Sequence, residues 1–339
     1  MRQHLIRMVQ FAVGIGILYL LLRRAELERA LAMVGSIRPM DAVFTLVGFF
    51  IASILLGASL VLLLPGPVTW GTARRVLQAH LAGVLLSDVT PARSGYFLTP
   101  LLMERLAGIG RETGFAALAG MQAVSLVAKA VLAGTAILLV GHRLQERLHM
   151  AEVVPYVLAG STLLVAAGVV FGLLAWTPIM DTLARFLARR VTARRVQSLL
   201  NLTIKFTEKF RASGRETYRR SPLAGALAAA STLAAGGALF PIAQAVGLTG
   251  FGILDIMAVG VIVGPLVYLP ISPAGIGVIE AAYVFVLTTM GQDQSASLAF
   301  ALASRALFTG TDLVGLPWLL TSLNRRSGIL VNQARGSPE

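Results

Sequence analysis

The sequence predicts an all-α polytopic integral membrane protein, built as an inverted repeat of span, re-entrant hairpin and span around a midplane cavity. Three observations lead there. The 339 residues are 56% hydrophobic and 13% charged, whereas soluble domains carry about 25% charged residues. Several apolar runs reach the roughly 20 residues needed to cross a bilayer. Two apolar regions are interrupted by proline and glycine, at Pro91 to Gly95 and at Pro270 to Gly277. In hydrocarbon, backbone groups freed by such breaks need partners inside the protein, so the breaks are expected to line a cavity or buried site. No polar stretch is long enough to enclose a core of its own, and residues 1–339 read as a single transmembrane domain.

Taken in order, the chain opens with a segment 1–42. Met1 to Arg7 is basic and Leu5 to Leu22 is apolar, but Arg23-Arg24 follows where a cleavage site would stand. This reads as an uncleaved first span. Leu27, Leu31, Val34 and Ile37 then recur at helical spacing, which predicts an amphipathic surface helix. The first half is 43–176. Val43 to Leu64 is a span closed by Pro65-Gly66-Pro67, and Trp70, Arg74 and Arg75 look like an interface anchor. Val76 to Thr90 would cover roughly 22 Å, less than a ~30 Å hydrocarbon core. With Tyr96 to Met103 it forms a hairpin near 88–103. Gly114 to Val140 and Val153 to Trp176 are full spans.

Residues 177–222 are rich in arginine and lysine, with Val196, Leu199, Leu200, Thr203, Ile204, Thr207 and Phe210 on one helical face. This predicts a basic amphipathic linker lying on the membrane surface; a solvated charged loop is the plainer alternative. The second half is 223–323. Leu223 to Val246 is a span containing Pro241. Ile253 to Leu269 and Ile276 to Met290 are the short arms of a hairpin near 253–290, and Ser297 to Leu323 is the last span. Residues 324–339 form a short polar tail.

Orientation follows from the positive-inside rule. The arginine-rich linker and the tail beginning Arg325-Arg326 fall in the cytoplasm, which puts 104–113 inside and 141–152, 247–252 and 291–296 outside. The first hairpin then enters from the cytoplasm and the second from outside. Paired Pro/Gly-interrupted segments in two halves are a pointer to a transporter's midplane site. Loop 23–41 comes out external although it carries Arg23, Arg24, Arg29 and Arg38, against the rule.

Ionisable side chains in apolar regions are costly, and they usually pair or face water. Here they are Asp88, Arg93, Lys129, Asp255, Glu280, Arg305 and Asp312, with His80 a further possibility. Arg93, Glu280, Arg305, Asp88, Lys129 and Asp312 are the candidate substrate-binding set. Pro91, Gly95, Pro273, Gly275 and Gly277 are the candidate helix-break positions. Guanidinium groups suit a lipid phosphate, and helix amino termini starting at Gly95 and Gly277 offer amide donors to an anion. Glu280 is placed to cap the second of these helices or to pair with Arg305. Asp88 and Glu280 are candidate proton carriers. The plain readings are that Asp88 and Asp255 are interfacial, that Lys129 snorkels, and that Glu280–Arg305 is structural.

The net charge of +13 reads as a cationic cytoplasmic face against anionic lipid rather than a nucleic-acid surface. There is no cysteine, which excludes thiolate chemistry. No His-Glu-x-x-His or P-loop is present, and neither enzyme activity, metal nor cofactor is expected. Gly57-Ala58-Ser59 with His80 faintly resembles an intramembrane serine protease but reads as helix packing.

Ile271-Ser272-Pro273-Ala274-Gly275-Ile276-Gly277-Val278-Ile279-Glu280, followed by a last span with Arg305, resembles the carboxy-terminal signature of one family, the lysylphosphatidylglycerol synthase transmembrane-region or flippase-like membrane proteins. Thr90-Pro91-Ala92-Arg93-Ser94-Gly95 resembles that family's earlier Pro-x-Arg-x-Gly motif. Tyr96 stands where the family usually has an acidic residue, Ala274 where glycine is common, and Gln122, Ser125 and Lys129 where an arginine and an aspartate often occur. The resemblance implies a stand-alone lipid translocase without the synthase domain of the fused relatives, moving a polar or anionic lipid between leaflets by alternating access. The alternatives are an integral-membrane lipid-headgroup transferase and a lipid-binding scaffold subunit of an envelope-lipid pathway. Expected partners are a membrane lipid substrate, anionic headgroups at the basic linker and a possible second copy of the chain in a homodimer, with no nucleic acid. The expected location is the cytoplasmic membrane.

Overall fold

The computed structural model describes residues 12–21, 23, 26–88, 90, 94–145, 162, 164–173, 182, 186, 194–268, 272 and 275–324, and among these the chain is helical with no strand. The order is α1 (Ala12–Leu21), α2 (Leu27–Gly35), α3 (Pro39–Leu62), α4 (Trp70–Asp88), a 3-10 turn (Ser94–Leu98), α5 (Thr99–Ala107), α6 (Arg111–Gln145), α7 (Leu164–Leu173), α8 (Arg194–Thr217), α9 (Ser221–Gly237), α10 (Phe240–Ala245), α11 (Ile253–Val263), a 3-10 turn (Gly264–Tyr268), α12 (Val278–Thr289) and α13 (Gln294–Asp312). A further 3-10 turn, Leu313–Gly315, joins α13 to helix over 316–324. Among the described residues, four stretches are long and apolar enough to cross a membrane: Pro39–Leu62, Arg111–Leu138, Thr207–Ala245 and Gln294–Asn324. Most of the expected span from Val153 to Trp176, and the tail after Asn324, lie outside the described residues.

The centre is an antiparallel pair, α3 and α9. A Cβ at Gly48 would collide with Ala238, Ser231 Oγ donates to Ala52 O at 2.7 Å, and Ser59 Oγ donates to Ala224 O at 2.9 Å. Small residues allow this approach, and serine-to-carbonyl bonds tie it together. Ser59 is thus committed to packing, and His80 Nδ1 lies 2.6 Å from the Tyr96 hydroxyl. Two buried apolar clusters flank the pair. One joins the end of α3 to α4, α5 and α6 around Leu60, Met103, Leu118 and Met121. The other joins the start of α3 to α10, α11, α12 and α13 around Phe49, Ile242, Ile256, Leu287 and Phe300.

The connections sort to two ends. At one, Gly66 N donates to Glu216 Oε1 at 2.7 Å, Arg220 Nη1 to Leu64 O at 3.0 Å and Arg111 Nε to Glu104 Oε2 at 2.6 Å, while the Thr113 and Ser213 hydroxyls are 3.1 Å apart. At the other, Gln292 Nε2 donates to Thr249 O at 3.1 Å, and Arg29 Nη1 lies 3.8 Å from Asp293 Oδ2. The outer flanks of α4 and α5 therefore share the first end, and those of α11 and α12 share the second. Residues 26–41 lie at the second end with 247–252 and 290–293. Their arginines are partly neutralised there: Arg29 also faces Glu26 at 3.5 Å, and Arg38 Nε donates to Asp41 at 2.9 Å.

Two expectations need correction. The first hairpin arm is 19 residues long, roughly 28 Å at 1.5 Å per residue. Trp70 to Arg75, read as an anchor, form its opening turns, and the Thr69 hydroxyl accepts from Thr72 N at 3.3 Å to start them. The span containing Pro241 is two helices, α9 and α10, with the proline in the first turn of α10, where its missing N–H costs nothing. The linker is helical over Arg194–Thr217, as its apolar face predicts, and packs on α6, with Thr207 and Thr217 buried and Lys209 Nζ 4.0 Å from Glu112.

Candidate functional site: a basic cavity between the two halves

At the second break, a 3-10 turn covers Gly264–Tyr268 and α12 begins at Val278. Gly275 and Gly277 have φ of +73° and +80°, a left-handed backbone that glycine adopts without strain. The Ser272 hydroxyl donates to Ile276 O at 2.7 Å, closing the turn. Glu280 then caps α12, its Oε2 accepting from Gly277 N at 2.7 Å. Its other oxygen, Oε1, lies 3.0 Å from Arg305 Nε, with the two side chains 4% and 21% exposed. One carboxylate thus holds the turn and aims the arginine. A buried pair of this kind needs such extra hydrogen bonds to offset its desolvation.

At the first break, α4 ends at Asp88. Thr90 Oγ1 donates towards Leu86 O and Ser87 O at 3.2 and 3.1 Å and accepts from Gly95 N at 2.6 Å. The hydroxyl closes the helix and takes the amide. A 3-10 turn follows, and regular helix resumes at Thr99, not at Gly95. Neither expected amide donor is open to an anion: Gly95 N–H is taken by Thr90 and Gly277 N–H by Glu280. Pro91, Arg93 and Pro273 lie outside the described residues.

Between the two halves lies a cavity of about 210 Å³. Lys129 from α6 and Arg305 from α13 both line it, together with His80, Tyr283, Ser231 and Ser304; most of the remaining wall is aliphatic or aromatic. Ser304 is buried, and its Oγ has no hydrogen-bond partner among the described residues. Tyr283 is held edge-on against Phe300, with ring centres 5.3 Å apart. Of the candidate set, Lys129 and Arg305 meet at the cavity, and Glu280 stands behind Arg305. Asp88 and Asp312 are not in its wall. Asp255 instead caps α11, accepting from Gly252 N at 2.9 Å. Tyr283, Ser231 and Ser304 went unseen in the sequence, since a tyrosine or serine in an apolar helix carries no signal until a cavity forms beside it.

Chemically, the cavity offers cationic donors, hydroxyls and an imidazole in an apolar wall. It suits a small anionic or hydrogen-bonding group. The model of one family, described as the lysylphosphatidylglycerol synthase TM region, matches residues 7–311. No curated protein matches the chain.

Proposed function

We propose a lipid-translocating function from the premise that the chain belongs to the lysylphosphatidylglycerol synthase transmembrane-region family, whose setting is membrane lipid. On this reading the protein moves a polar or anionic lipid between leaflets. The headgroup enters the cavity between the halves, and the chains stay in the bilayer. The observation that carries the reading is the shared wall: Lys129 and Arg305, from opposite halves, line one cavity in otherwise apolar surroundings. At about 210 Å³ it is smaller than the roughly 300–1,000 Å³ of typical small-molecule sites, which favours a headgroup over a whole lipid.

The mechanism we propose is alternating access, with the Pro/Gly breaks as re-entrant tips of two inverted hairpins. Shared ends for the arms of each hairpin support that view. Arg305 and Lys129 attract the headgroup charge, and Glu280 keeps Arg305 aligned while the cavity is empty. The test is leaflet exchange of a labelled anionic phospholipid in liposomes containing the purified protein. Arg305→Ala is expected to lower the exchange rate at least about tenfold, the scale of one lost charge-assisted contact of ~1.5–3 kcal/mol. Exchange at the wild-type rate in that variant would remove the cavity from the mechanism.

A further inference from the structure

We propose that His80 is the proton-carrying residue of the cavity, and that an anionic headgroup and a proton are taken up together. The inference rests on the reading of the cavity as a headgroup site. His80 is fully buried yet lines that cavity. Its ring is held on two sides. Nδ1 lies 2.6 Å from the Tyr96 hydroxyl, with the rings edge to face. On the other side, a Cβ at Gly57 of α3 would stand 2.9 Å from the imidazole Cδ2, so the ring occupies space that only glycine leaves. Imidazole is the side chain that ordinarily changes charge near neutral pH.

The surrounding charges set the direction of the coupling. Lys129 of α6 faces the same cavity, as do Arg305 of α13 and Tyr283 of α12; Glu280 is bonded to Arg305. From α3 the wall receives Phe49, Ala52, Ser53 and Leu56, none of them titratable. Tyr96 comes from the turn at the first break. On His80's own helix the remaining acid is Asp88, two turns further on, while α5 places Glu104 at the far end against Arg111. Asp312 is buried in the last span, outside the cavity wall. Lys129 and a protonated His80 place two cationic groups in one wall. Like charges in a weakly screened site repel. An oxyanion between them removes that repulsion, so each ligand strengthens the other by the same factor. Glu280 is a poorer proton carrier, because both its oxygens already accept, from Gly277 N and Arg305 Nε.

Protonation also has a structural consequence. In neutral His80 either partner can donate across the contact with Tyr96. In the imidazolium, Nδ1 must donate and the Tyr96 oxygen must accept. Tyr96 belongs to the 3-10 turn at the first break, and its carbonyl accepts from the Thr99 hydroxyl at 2.6 Å. The protonation state of the cavity is therefore read at the tip of the first hairpin.

The test uses the full chain in zwitterionic lipid nanodiscs and glycerophosphoglycerol, a soluble phosphodiester whose charge does not change near neutral pH. Calorimetric titration is expected to show about tenfold tighter binding at about pH 5.5 than at about pH 8, the scale of one pKa unit of coupling, with net proton uptake on binding between those two pH values. His80→Asn is expected to abolish the pH dependence and Tyr96→Phe to keep it with a displaced midpoint. A pH-independent wild type, or an unchanged pH profile in His80→Asn, would overturn the proposal. If His80→Asn does not fold, Tyr96→Phe decides: a displaced midpoint supports the proposal and an unchanged profile overturns it. A wild type that binds at neither pH overturns the headgroup-site reading itself. Sulfate, a free oxyanion of constant charge, is expected to bind at least about tenfold more weakly, a difference of ~1.4 kcal/mol; equal binding would make the ligand a free anion and overturn the headgroup assignment.

Discussion

Glu280 performs two tasks with one carboxylate, and they can be separated by substitution. Glu280→Gln keeps an oxygen able to accept from Gly277 N but turns the other position into a donor facing Arg305. Removing one member of a buried pair typically costs ~3–5 kcal/mol, because the remaining charge is left uncompensated. The single variant is expected to unfold at a clearly lower temperature in detergent. Glu280→Gln combined with Arg305→Gln is expected to regain much of that loss, since no lone charge remains, while lipid exchange stays lost. Recovery of exchange in the double variant would show that the pair is structural only. The pairing itself was legible in the sequence, because Glu280 falls three residues after a glycine at a helix start, opposite an arginine in the next apolar run. The contribution of His80 was legible only as a stray histidine, since nothing in its neighbourhood points to Tyr96 sixteen residues away.

At the scale of the elements, the two breaks differ in what holds them. The second depends on backbone that only glycine tolerates, and on α1. A Cβ at Gly277 would collide with the Gly14 carbonyl of α1, and one at Gly14 would come within 2.8 Å of Ile276 O. Gly16, two residues beyond, has open space around it. Gly277→Ala and Gly14→Ala are therefore expected to lower thermal stability, the former by ~1–2 kcal/mol from its left-handed backbone alone. Gly16→Ala is expected to be neutral or slightly stabilising, since alanine favours helix. Equal behaviour of the Gly14 and Gly16 variants in thermal unfolding would rule out this docking. The existence of both breaks was readable from Pro and Gly alone, and so were most of the helices. The local chemistry of the first was not: that Thr90 takes the Gly95 amide depends on how the chain folds back. Likewise, small residues scattered along Gly48, Ala52, Ser59, Ala224, Ser231 and Ala238 announce close packing but not which helix meets which.

Across the whole molecule, the consequence of the two-ended arrangement is a labelling pattern. The chain has no cysteine, so single cysteines can be introduced one at a time without a background thiol. Trp70 and Gly110 flank the first hairpin and are exposed; Thr249 and Gln294 flank the second and are exposed. If each hairpin enters and leaves the bilayer on one side, Trp70→Cys and Gly110→Cys behave alike towards an impermeant maleimide, and Thr249→Cys and Gln294→Cys form the opposite class. The positive-inside rule assigns the second pair to the outside, because the arginine-rich linker packs against the start of α6 beside Gly110. In intact cells Thr249→Cys and Gln294→Cys are thus expected to react at once, and the other two only after permeabilisation. Reaction of Trp70→Cys and Gly110→Cys from opposite sides would mean that α4 and α5 together cross the membrane. At roughly 28 Å for α4 alone, that is the geometric alternative the experiment must exclude. It would leave His80, Lys129 and Arg305 in one cavity wall, but the inverted relation between the halves would be lost.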